Sequence, residues 1–218
     1  MPADAAAVRE RTSYYEWLDL VRFVAALLVV AGHVRGTVFR EYSALATDSR
    51  NLAVASFFAL SRLGHEAVIV FFVLSGFLVG GRAFERIAQG RFAAGDYAID
   101  RITRIWIPLI PALVLGTAIA SGPAGPVEWA GNLLGLQHVL VEPLGGNAPL
   151  WSLAYEIWFY ALVYAVGRLA TSKRMDAIAL VVLCLFVLVF TKLELQYLAC
   201  WLIGALFYLS PGCVPYQG

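Results

Sequence analysis

The stretch LDLVRFVAALLVVAGHV, residues 18–34, decides the fold class, because it is almost entirely apolar yet contains Asp19, Arg22 and His33. A helix that crosses a membrane needs about 20 mainly apolar residues, which this stretch and its flanks provide. An ionisable side chain in hydrocarbon costs roughly 2.5–3.5 kcal/mol at the centre of a helix. The polar residues therefore lie either at the membrane edge or on a face covered by a polar interior.

The composition of the whole chain also indicates an integral membrane protein. Of its 218 residues, 61% are hydrophobic and 14% are charged, whereas soluble domains are about half apolar and a quarter charged. The net charge of +1 gives no global attraction to nucleic acid, so we expect no nucleic-acid partner. The cysteines have no metal-ligand spacing, so we expect no metal site and interpret them as small buried apolar side chains. They are Cys184, Cys200 and Cys213.

Six apolar runs are predicted as membrane helices, although the last two are only marginally long enough. They cover residues 17–39, 65–81, 102–120, 150–170, 175–191 and 195–209. A shorter apolar segment, 52–63, is expected to pack beside the start of the second helix. The predicted fold is therefore an all-α polytopic membrane bundle of about six transmembrane helices, with residues 1–218 treated as one domain.

The distribution of arginine and lysine predicts the orientation, because cytoplasmic connections are enriched in them. Two connections are basic, whereas the Gly- and Pro-rich segment 121–148 has no arginine or lysine and is expected outside, where its centre forms one short helix. The basic residues are Arg82, Arg86, Arg91, Arg101, Arg104, Arg168, Lys173 and Arg174. We therefore expect a cytoplasmic N-terminus. Four arginines then lie on the outer side against this trend, and we interpret them as candidates for part of a site: Arg35, Arg40, Arg50 and Arg62.

The polar residues of the first run are predicted to share one helix face. Arg22 and His33 are eleven residues apart, close to three turns at 3.6 residues per turn. Asp19 falls near the same face and can pair with Arg22 at the i, i+3 spacing. A shared face favours a polar interior. The alternative for Asp19 and Arg22 is a cytoplasmic edge position from which Arg22 reaches the headgroups, and the alternative for His33 is a ring bonded only to a backbone carbonyl.

The fourth run, PLWSLAYEIWFYALV, contains the carboxylate Glu156 among aromatic residues. A rise of about 1.5 Å per residue puts His33 roughly 22 Å above the cytoplasmic end and Glu156 about 9 Å below the outer end. In a hydrocarbon core of about 30 Å these levels nearly coincide. We therefore predict a general-base pair in which Glu156 orients the His33 ring. Trp151 and Tyr155 are expected to anchor the helix at the outer interface.

Three further positions are candidates for substrate binding. Ser75 lies in FFVLSGFLVGG, where small residues allow close helix packing, so a nucleophilic role is the weaker interpretation of Ser75. Arg101 and Arg104 share one face at the cytoplasmic end of the third run, where they either anchor the helix or bind phosphate through their guanidinium groups. Pro108 and Pro111 are expected to kink this helix and open space beside it.

Four stretches together, in order and spacing, resemble the acyltransferase 3 family of bacterial membrane O-acyltransferases. They are LDLVRFVAALLVVAGHV, FFVLSGFLVGG, RITRIWIP and PLWSLAYEIWFYAL. An arginine and a histidine separated by ten residues in the first helix is the most telling motif of that family, and here it is Arg22 and His33. Members generally have about ten membrane helices, so we expect this chain to be an N-terminal portion that lacks the last helices.

The resemblance implies transfer of an acyl group, usually acetyl, from cytoplasmic acyl-CoA to a hydroxyl of a cell-envelope or secreted glycan, in the bacterial inner membrane. It implies that His33 is the catalytic base and that Glu156 assists it. Arg22, Arg101 and Arg104 match basic positions that hold the CoA end of the donor, and Asp19 and Ser75 complete the predicted binding set. Acyl-CoA is then a substrate, and no permanently bound cofactor is expected.

Two other functions are compatible with the residues. A transporter or flippase of a lipid-linked substrate would have broken helices in matching positions of an internal repeat, and only the third run, with its prolines, looks broken. A truncated inactive protein or a partner subunit would agree with the short length, and self-association with other copies could complete the bundle. Replacement of His33 separates these functions, because only acyl transfer requires a base.

Overall fold

A computed structural model describes residues 2–39, 41–120, 124–172 and 175–210. These residues form helices without a named β-strand, which confirms the predicted all-α fold. In chain order the helices are α1 (Pro2–Val38), α2 (Leu52–Ser61), α3 (Gly64–Ser75), a π-helix (Gly76–Gly81), α4 (Arg82–Ala88), α5 (Ala94–Ile119), α6 (Pro126–Leu133), α7 (Trp151–Thr171), α8 (Ala177–Phe190) and α9 (Leu195–Leu209). Short 3₁₀ turns lie at Tyr42–Ala44, Thr47–Ser49, Leu144–Gly146 and Ala148–Leu150. Some residues used to predict the orientation and the cysteine environment lie outside the described residues: Arg40, Lys173, Arg174 and Cys213.

The long helices correspond to the first four predicted runs. The segments long and apolar enough to cross a membrane are Glu16–Val38, Gly64–Ala88, Ala94–Ile119 and Ala148–Thr171. The two marginal runs form α8 and α9, with 14 and 15 residues. At about 1.5 Å per residue these helices are shorter than a hydrocarbon core of about 30 Å. The molecule is thus a membrane helix bundle with four long helices and further short ones.

The helix α5 starts earlier than the sequence predicts, at Ala94 instead of residue 102. Arg101 and Arg104 consequently lie within the helix and not at its first turn. The helix also continues through Pro108 and Pro111 as one element. Both prolines are exposed on the side of the helix away from the bundle, where carbonyl groups of the preceding turn lose their N–H partners.

A glycine crossing joins the π-helix to α9, and we call it the closed crossing. A Cβ atom on Gly76 would lie 1.8 Å from the carbonyl oxygen of Trp201, and one on Gly204 would lie 2.0 Å from that of Val73. Only glycine therefore permits this approach of the two backbones. The Trp201 ring is fully buried and lies against Gly80. The small residues around Ser75 thus act in packing, as predicted.

A second glycine crossing joins α1 to the start of α3, and we call it the open crossing. A Cβ atom on Gly32 would lie 3.0 Å from the carbonyl oxygen of Ser61 and 3.3 Å from the Cα of Gly64. The contact is looser than at the closed crossing. His33 and His65 each follow one of these glycines in the sequence, so the crossing brings the two imidazole rings to one region.

An aromatic cluster forms the centre of the bundle and overturns one expectation. Tyr155 is only 6% exposed and packs with its ring centroid 4.9 Å from that of Tyr197 and 5.8 Å from that of Phe72. The Trp151 ring lies against the same cluster in a tilted arrangement, with its centroid 5.2 Å from that of Tyr197. Tyr155, predicted as an anchor at the lipid interface, is therefore part of the core, and the partly buried Trp151 packs against that core, because α9 packs against their side of α7.

The connection from α5 to α7 carries the predicted short helix, α6. Asn132 is fully buried and holds the connection together, since its amide donates to the carbonyls of Glu128 and Glu142 and its oxygen accepts from the backbone N–H of Leu144. Trp158 on α7 donates to the carbonyl of Gly135 at 2.9 Å. These bonds fix the connection to α7.

The cysteine prediction is wrong in one respect. Cys184 and Cys200 are free thiols, but Cys184 is exposed and Cys200 is only partly buried. Cys184 lies on α8, which also carries exposed apolar residues such as Val181 and Leu188. An apolar residue on a helix at the rim of a membrane bundle faces lipid, so hydrophobic character alone does not predict burial inside the protein.

Candidate active site

Four cavities follow one another along the bundle, and neighbouring cavities share lining residues. The arginine cavity has a volume of about 800 Å³ and the Glu156 cavity about 330 Å³. The His33 cavity has about 220 Å³ and the Arg35 cavity about 430 Å³. The shared residues are, in order, Val79 and Arg104, then Val29 and Val68, then Arg35 and Arg62. The cavities therefore form a series from the end of the bundle at α4 to the end at the C-terminus of α1.

The arginine cavity gathers the basic residues of one predicted cytoplasmic connection. Its lining includes five arginines and three acidic residues among the described residues. The arginines are Arg82, Arg86, Arg91, Arg101 and Arg104. They meet here because α4 and the start of α5 pack against the lower parts of α7 and α9, where Tyr208 donates to Glu85 at 3.0 Å. The excess of guanidinium groups suits an anionic ligand such as a phosphate.

Arg101 is largely enclosed, with a side chain that is 13% exposed. Its Nη2 donates to Asp100, while Nε and Nη1 are buried and have no partner among the described residues. The guanidinium lies over the ring of Tyr160, 5.3 Å from the centroid, and over that of Tyr97, 5.8 Å away. A guanidinium with unused donors beside a cavity can bind oxygen atoms of a ligand there.

The Glu156 cavity brings together four of the predicted site residues. Arg22, Ser75, Arg104 and Glu156 line it, along with apolar residues of α1 and α3. Glu156 accepts a hydrogen bond from the hydroxyl of Tyr160, one turn further along α7. The carboxylate is thus partnered within its own helix.

Arg22 and Ser75 are each held by a neighbour. Arg22 Nη1 donates to Asp19 Oδ1 at 3.1 Å, which confirms the predicted i, i+3 pair. The Asp19 side chain is 72% exposed, so it acts on the cavity only through Arg22. Ser75 Oγ accepts from the indole N–H of Trp201 at 3.3 Å. This bond and the helical backbone at Ser75 agree with a positioning or binding role.

The His33 cavity contains two histidines. His33 and His65 line it together with the glycines of the open crossing and Trp151. The His65 ring is stacked on the Trp151 ring, with centroids 5.8 Å apart, and its Nε2 lies 3.2 Å from the hydroxyl of Tyr197. The His33 ring has no side-chain hydrogen bond to any described residue and is partly buried.

The predicted direct contact between His33 and Glu156 is not formed among the described residues. The two side chains line neighbouring cavities, separated by Val29 and Val68. His33 shares its cavity with Trp151, whereas Glu156, five residues further along α7, shares its cavity with Arg22. The role of His33 as a base and that of Glu156 as its orienting group therefore stay predictions.

Comparison with known proteins identifies the lineage. The family model described as an acyltransferase domain, acyltransferase 3, matches residues 15–214. The chain belongs to the acyltransferase 3 family. The acyltransferase MdmB of Streptomyces mycarofaciens is 31% identical over 172 residues, which is 68% of this chain and 44% of that protein. The chain therefore spans less than half the length of this curated relative. No solved structure matches.

Two residues of this acyltransferase domain were missed by sequence reasoning. Tyr160 is four residues after Glu156, and that spacing on a helix could have revealed the pair. His65 gave no comparable signal, because only the contact between Gly32 and Gly64 shows that it faces the same space as His33. His, Cys, Asp and Glu side chains within the described ranges form no group of three suited to a metal ion.

Proposed function

We propose that this acyltransferase moves an acyl group from acyl-CoA to a hydroxyl of a cell-envelope or secreted glycan. The proposed acyl group is acetyl, which members of the family usually transfer. The observation that carries the proposal is the series of cavities that leads from five arginines to His33. An acyl donor with a polyanionic end suits the first cavity, and a proton acceptor is available in the third. The family match supports acyl transfer as the reaction.

The arginine cavity is proposed to bind the phosphates of CoA. Guanidinium groups bind phosphate through two parallel hydrogen bonds, and Arg101 has two buried donor atoms without a partner among the described residues. The volume of about 800 Å³ lies within the range for sites of large organic ligands. Arg104 lines both this cavity and the next, so we propose that it holds the part of the donor between the phosphates and the thioester.

The Glu156 cavity is proposed to receive the acyl thioester. Phe71, Phe72 and Leu74 supply an apolar lining, which suits a neutral acyl chain and excludes water. Arg22 faces the same space and can stabilise the negative charge that develops on the thioester oxygen. The acyl carbon then has to meet the acceptor hydroxyl where the Glu156 and His33 cavities adjoin.

The proposed chemistry is a direct transfer with His33 as the base. The His33 ring takes the proton of the acceptor hydroxyl while the hydroxyl oxygen bonds to the acyl carbon. The carbon–sulfur bond breaks, CoA leaves as a thiolate, and the thiolate takes up the proton that His33 gained. The products are an ester and CoA, and the histidine returns to its neutral form.

The orientation with a cytoplasmic N-terminus, in a bacterial inner membrane, is also proposed. Cytoplasmic connections are enriched in arginine and lysine, and the arginine cavity lies at the end of the bundle that carries most of them. This orientation gives cytoplasmic acyl-CoA access to the arginine cavity. The acceptor then approaches from the opposite end.

A matched pair of histidine variants tests the proposal in membranes that contain the full protein. Loss of a positioned base costs about 10²–10⁴-fold in rate, so His33→Asn should reduce acyl transfer by that factor while binding of labelled acetyl-CoA is kept. His138→Asn is the control, because His138 is exposed on the α6–α7 connection with a φ of 59°, which asparagine tolerates. Equal transfer by wild type and His33→Asn contradicts the assignment of the base.

A second variant separates donor binding from chemistry. Arg101→Ala should raise the acetyl-CoA concentration needed for half-maximal transfer, because it removes phosphate-binding donors but no reacting group. The maximal rate should change less than in His33→Asn.

Movement of a lipid-linked substrate, the alternative function, would continue in His33→Asn. Retained movement without ester formation in the wild type would favour a transporter.

A further inference from the structure

Two arginines lie near His33 at the end of the bundle opposite the arginine cavity. Arg35 lies in the last turn of α1, and Arg62 follows the last residue of α2. Both line the His33 cavity and also the Arg35 cavity. The two guanidinium groups therefore belong to the same region although they come from different helices.

The hydrogen bonding of Arg35 is incomplete. Its Nε is buried and has no partner among the described residues, and no carboxylate lies within ion-pair distance of Arg35 or Arg62 in that part of the chain. A buried donor without a partner costs about 1–3 kcal/mol, so each case needs an explanation. Arg50, by contrast, donates to the carbonyls of Ser43 and Leu45 at 2.8–3.1 Å.

The other lining residues of the Arg35 cavity and its volume indicate what kind of ligand it can hold. Tyr42 and Phe58 form an aromatic wall, with ring centroids 5.4 Å apart. The acidic residue in the lining is Glu41, which leaves the two guanidinium groups with an excess of positive charge. The volume of about 430 Å³ is large enough for a headgroup the size of a sugar.

We propose that Arg35 and Arg62 bind a phosphate or carboxylate group of the acceptor and thereby hold its hydroxyl beside His33. The inference rests on the proposed function, because it assigns the acceptor end of the same cavities. Oxygen atoms of a phosphate or carboxylate satisfy guanidinium donors, and the buried Nε of Arg35 is available for one of them. The acceptor class is then an anionic hydroxyl compound rather than a neutral sugar.

Binding without turnover provides the first test. The full protein in phosphatidylcholine nanodiscs is titrated with glucose 6-phosphate, with glucuronate and with glucose, without acyl-CoA. Glucose 6-phosphate or glucuronate should bind and raise the unfolding temperature, whereas glucose should not. Arg35→Gln and Arg62→Gln should each raise Kd by at least about tenfold, since hydrogen bonds to charged groups contribute about 1.5–3 kcal/mol.

Two controls make the binding result specific. Arg168→Gln should leave Kd within about twofold of wild type, because Arg168 is paired with Asp176 and lines neither the His33 cavity nor the Arg35 cavity. Arg35→Gln should not lower the unfolding temperature of the ligand-free protein, because it removes a buried donor that lacks a partner.

Nanodiscs that contain phosphatidylglycerol identify the source of the anion. Stabilisation by that lipid alone, lost in Arg35→Gln, assigns the site to a lipid headgroup, and stabilisation that requires the sugar anion assigns it to a soluble or glycan acceptor.

Acyl transfer then distinguishes failure of this inference from failure of the proposed function. In Arg35→Gln and Arg62→Gln, KM for the acceptor should rise while KM for acetyl-CoA is unchanged. Unaltered acceptor KM, or no anion effect that depends on either arginine, overturns the inference and leaves acyl transfer intact. Anion binding that persists in a wild type without transfer overturns the proposed function and leaves the anion site intact.

Discussion

The closed crossing and the open crossing use the same residue type and reach opposite results. At the closed crossing the π-helix and α9 meet at Gly76 and Gly204, and the fully buried Trp201 fills the remaining space. At the open crossing Gly32 and Gly64 bring α1 and α3 together, but histidines instead of large aromatic rings follow the glycines. Close backbone approach thus produces a sealed contact in one place and a polar cavity in the other.

The two crossings also differ in how firmly their helices are held. In the most apolar part of the span Gly64–Ala88, half of the residues are buried inside the protein, against 6% in that of the span Glu16–Val38. The α1 helix is therefore attached over only a small part of its surface, and Arg22, His33 and Arg35 line adjoining cavities along its length. A weakly attached helix that lines three adjoining cavities can adjust to ligands at small cost, whereas the closed crossing cannot adjust.

The largest effect is expected from Gly76→Ala at the closed crossing. The new Cβ would lie 1.8 Å from the carbonyl oxygen of Trp201, and backbone atoms on both sides leave no room to relax. We expect a loss of at least about 3 kcal/mol of stability, the upper range for overpacking. The measurement is the yield of monodisperse protein in detergent and its unfolding temperature.

Gly36→Ala is the control for that prediction. Gly36 is also a helical glycine, but a Cβ there meets no other atom within 4 Å, so alanine should stabilise the helix slightly. Wild-type yield from Gly76→Ala would show that the two backbones are not in contact at the closed crossing.

The next effect concerns the wall between the Glu156 and His33 cavities. Val29 lines both, so Val29→Phe should fill the junction where the acyl carbon meets the acceptor. We expect acyl transfer to fall by at least about tenfold through lost alignment of the reactants, while binding of free CoA is unchanged, because Val29 does not line the arginine cavity. Val30→Phe is the matched control, because Val30 is 59% exposed on the lipid side of α1. Equal loss in both variants would mean that bulk on α1, not the junction, matters.

A smaller effect is expected from Gly32→Ala at the open crossing. The contacts of the new Cβ, at 3.0 Å and 3.3 Å, can relax by a small shift of α1. We expect a destabilisation of about 1 kcal/mol, within the range for modest overpacking, measured as a change in unfolding temperature. A loss as large as that of Gly76→Ala would show that α1 is held as rigidly as α9.

The contrast between the crossings also shows where sequence reasoning succeeds. Helix positions follow from apolar runs, and the pairing of Asp19 with Arg22 and the shared face of Arg22 and His33 follow from helical spacing, because these depend on residues close in the chain. The level of Glu156 relative to His33 depended on where α7 begins and how it tilts. Counting residues put both groups at one depth, whereas Glu156 shares its cavity with Arg22.

Contacts between distant segments explain what the sequence did not predict. His65 faces the His33 cavity because Gly64 packs on Gly32. Tyr155 is in the core because α9 covers it. Neither contact leaves a local pattern, since a glycine or an aromatic residue in an apolar run is compatible with lipid, core or cavity surroundings.

The smallest effect is expected from the ion pair that joins α7 to α8, away from both crossings. Arg168 Nε lies 2.6 Å from Asp176 Oδ2, and Asp176 Oδ1 accepts from the N–H of Ala179 as the cap of α8. Arg168 holds the pKa of the Asp176 carboxyl below its usual value of 3.8. The stabilisation is therefore fully present above about pH 3.8 and is lost as the pH falls through the lowered pKa. Asp176→Asn keeps an oxygen for the cap but removes the charge, so its unfolding temperature should lie slightly below that of wild type at neutral pH. That difference should shrink in acid, and a difference that is independent of pH would assign the contribution of Asp176 to the cap alone.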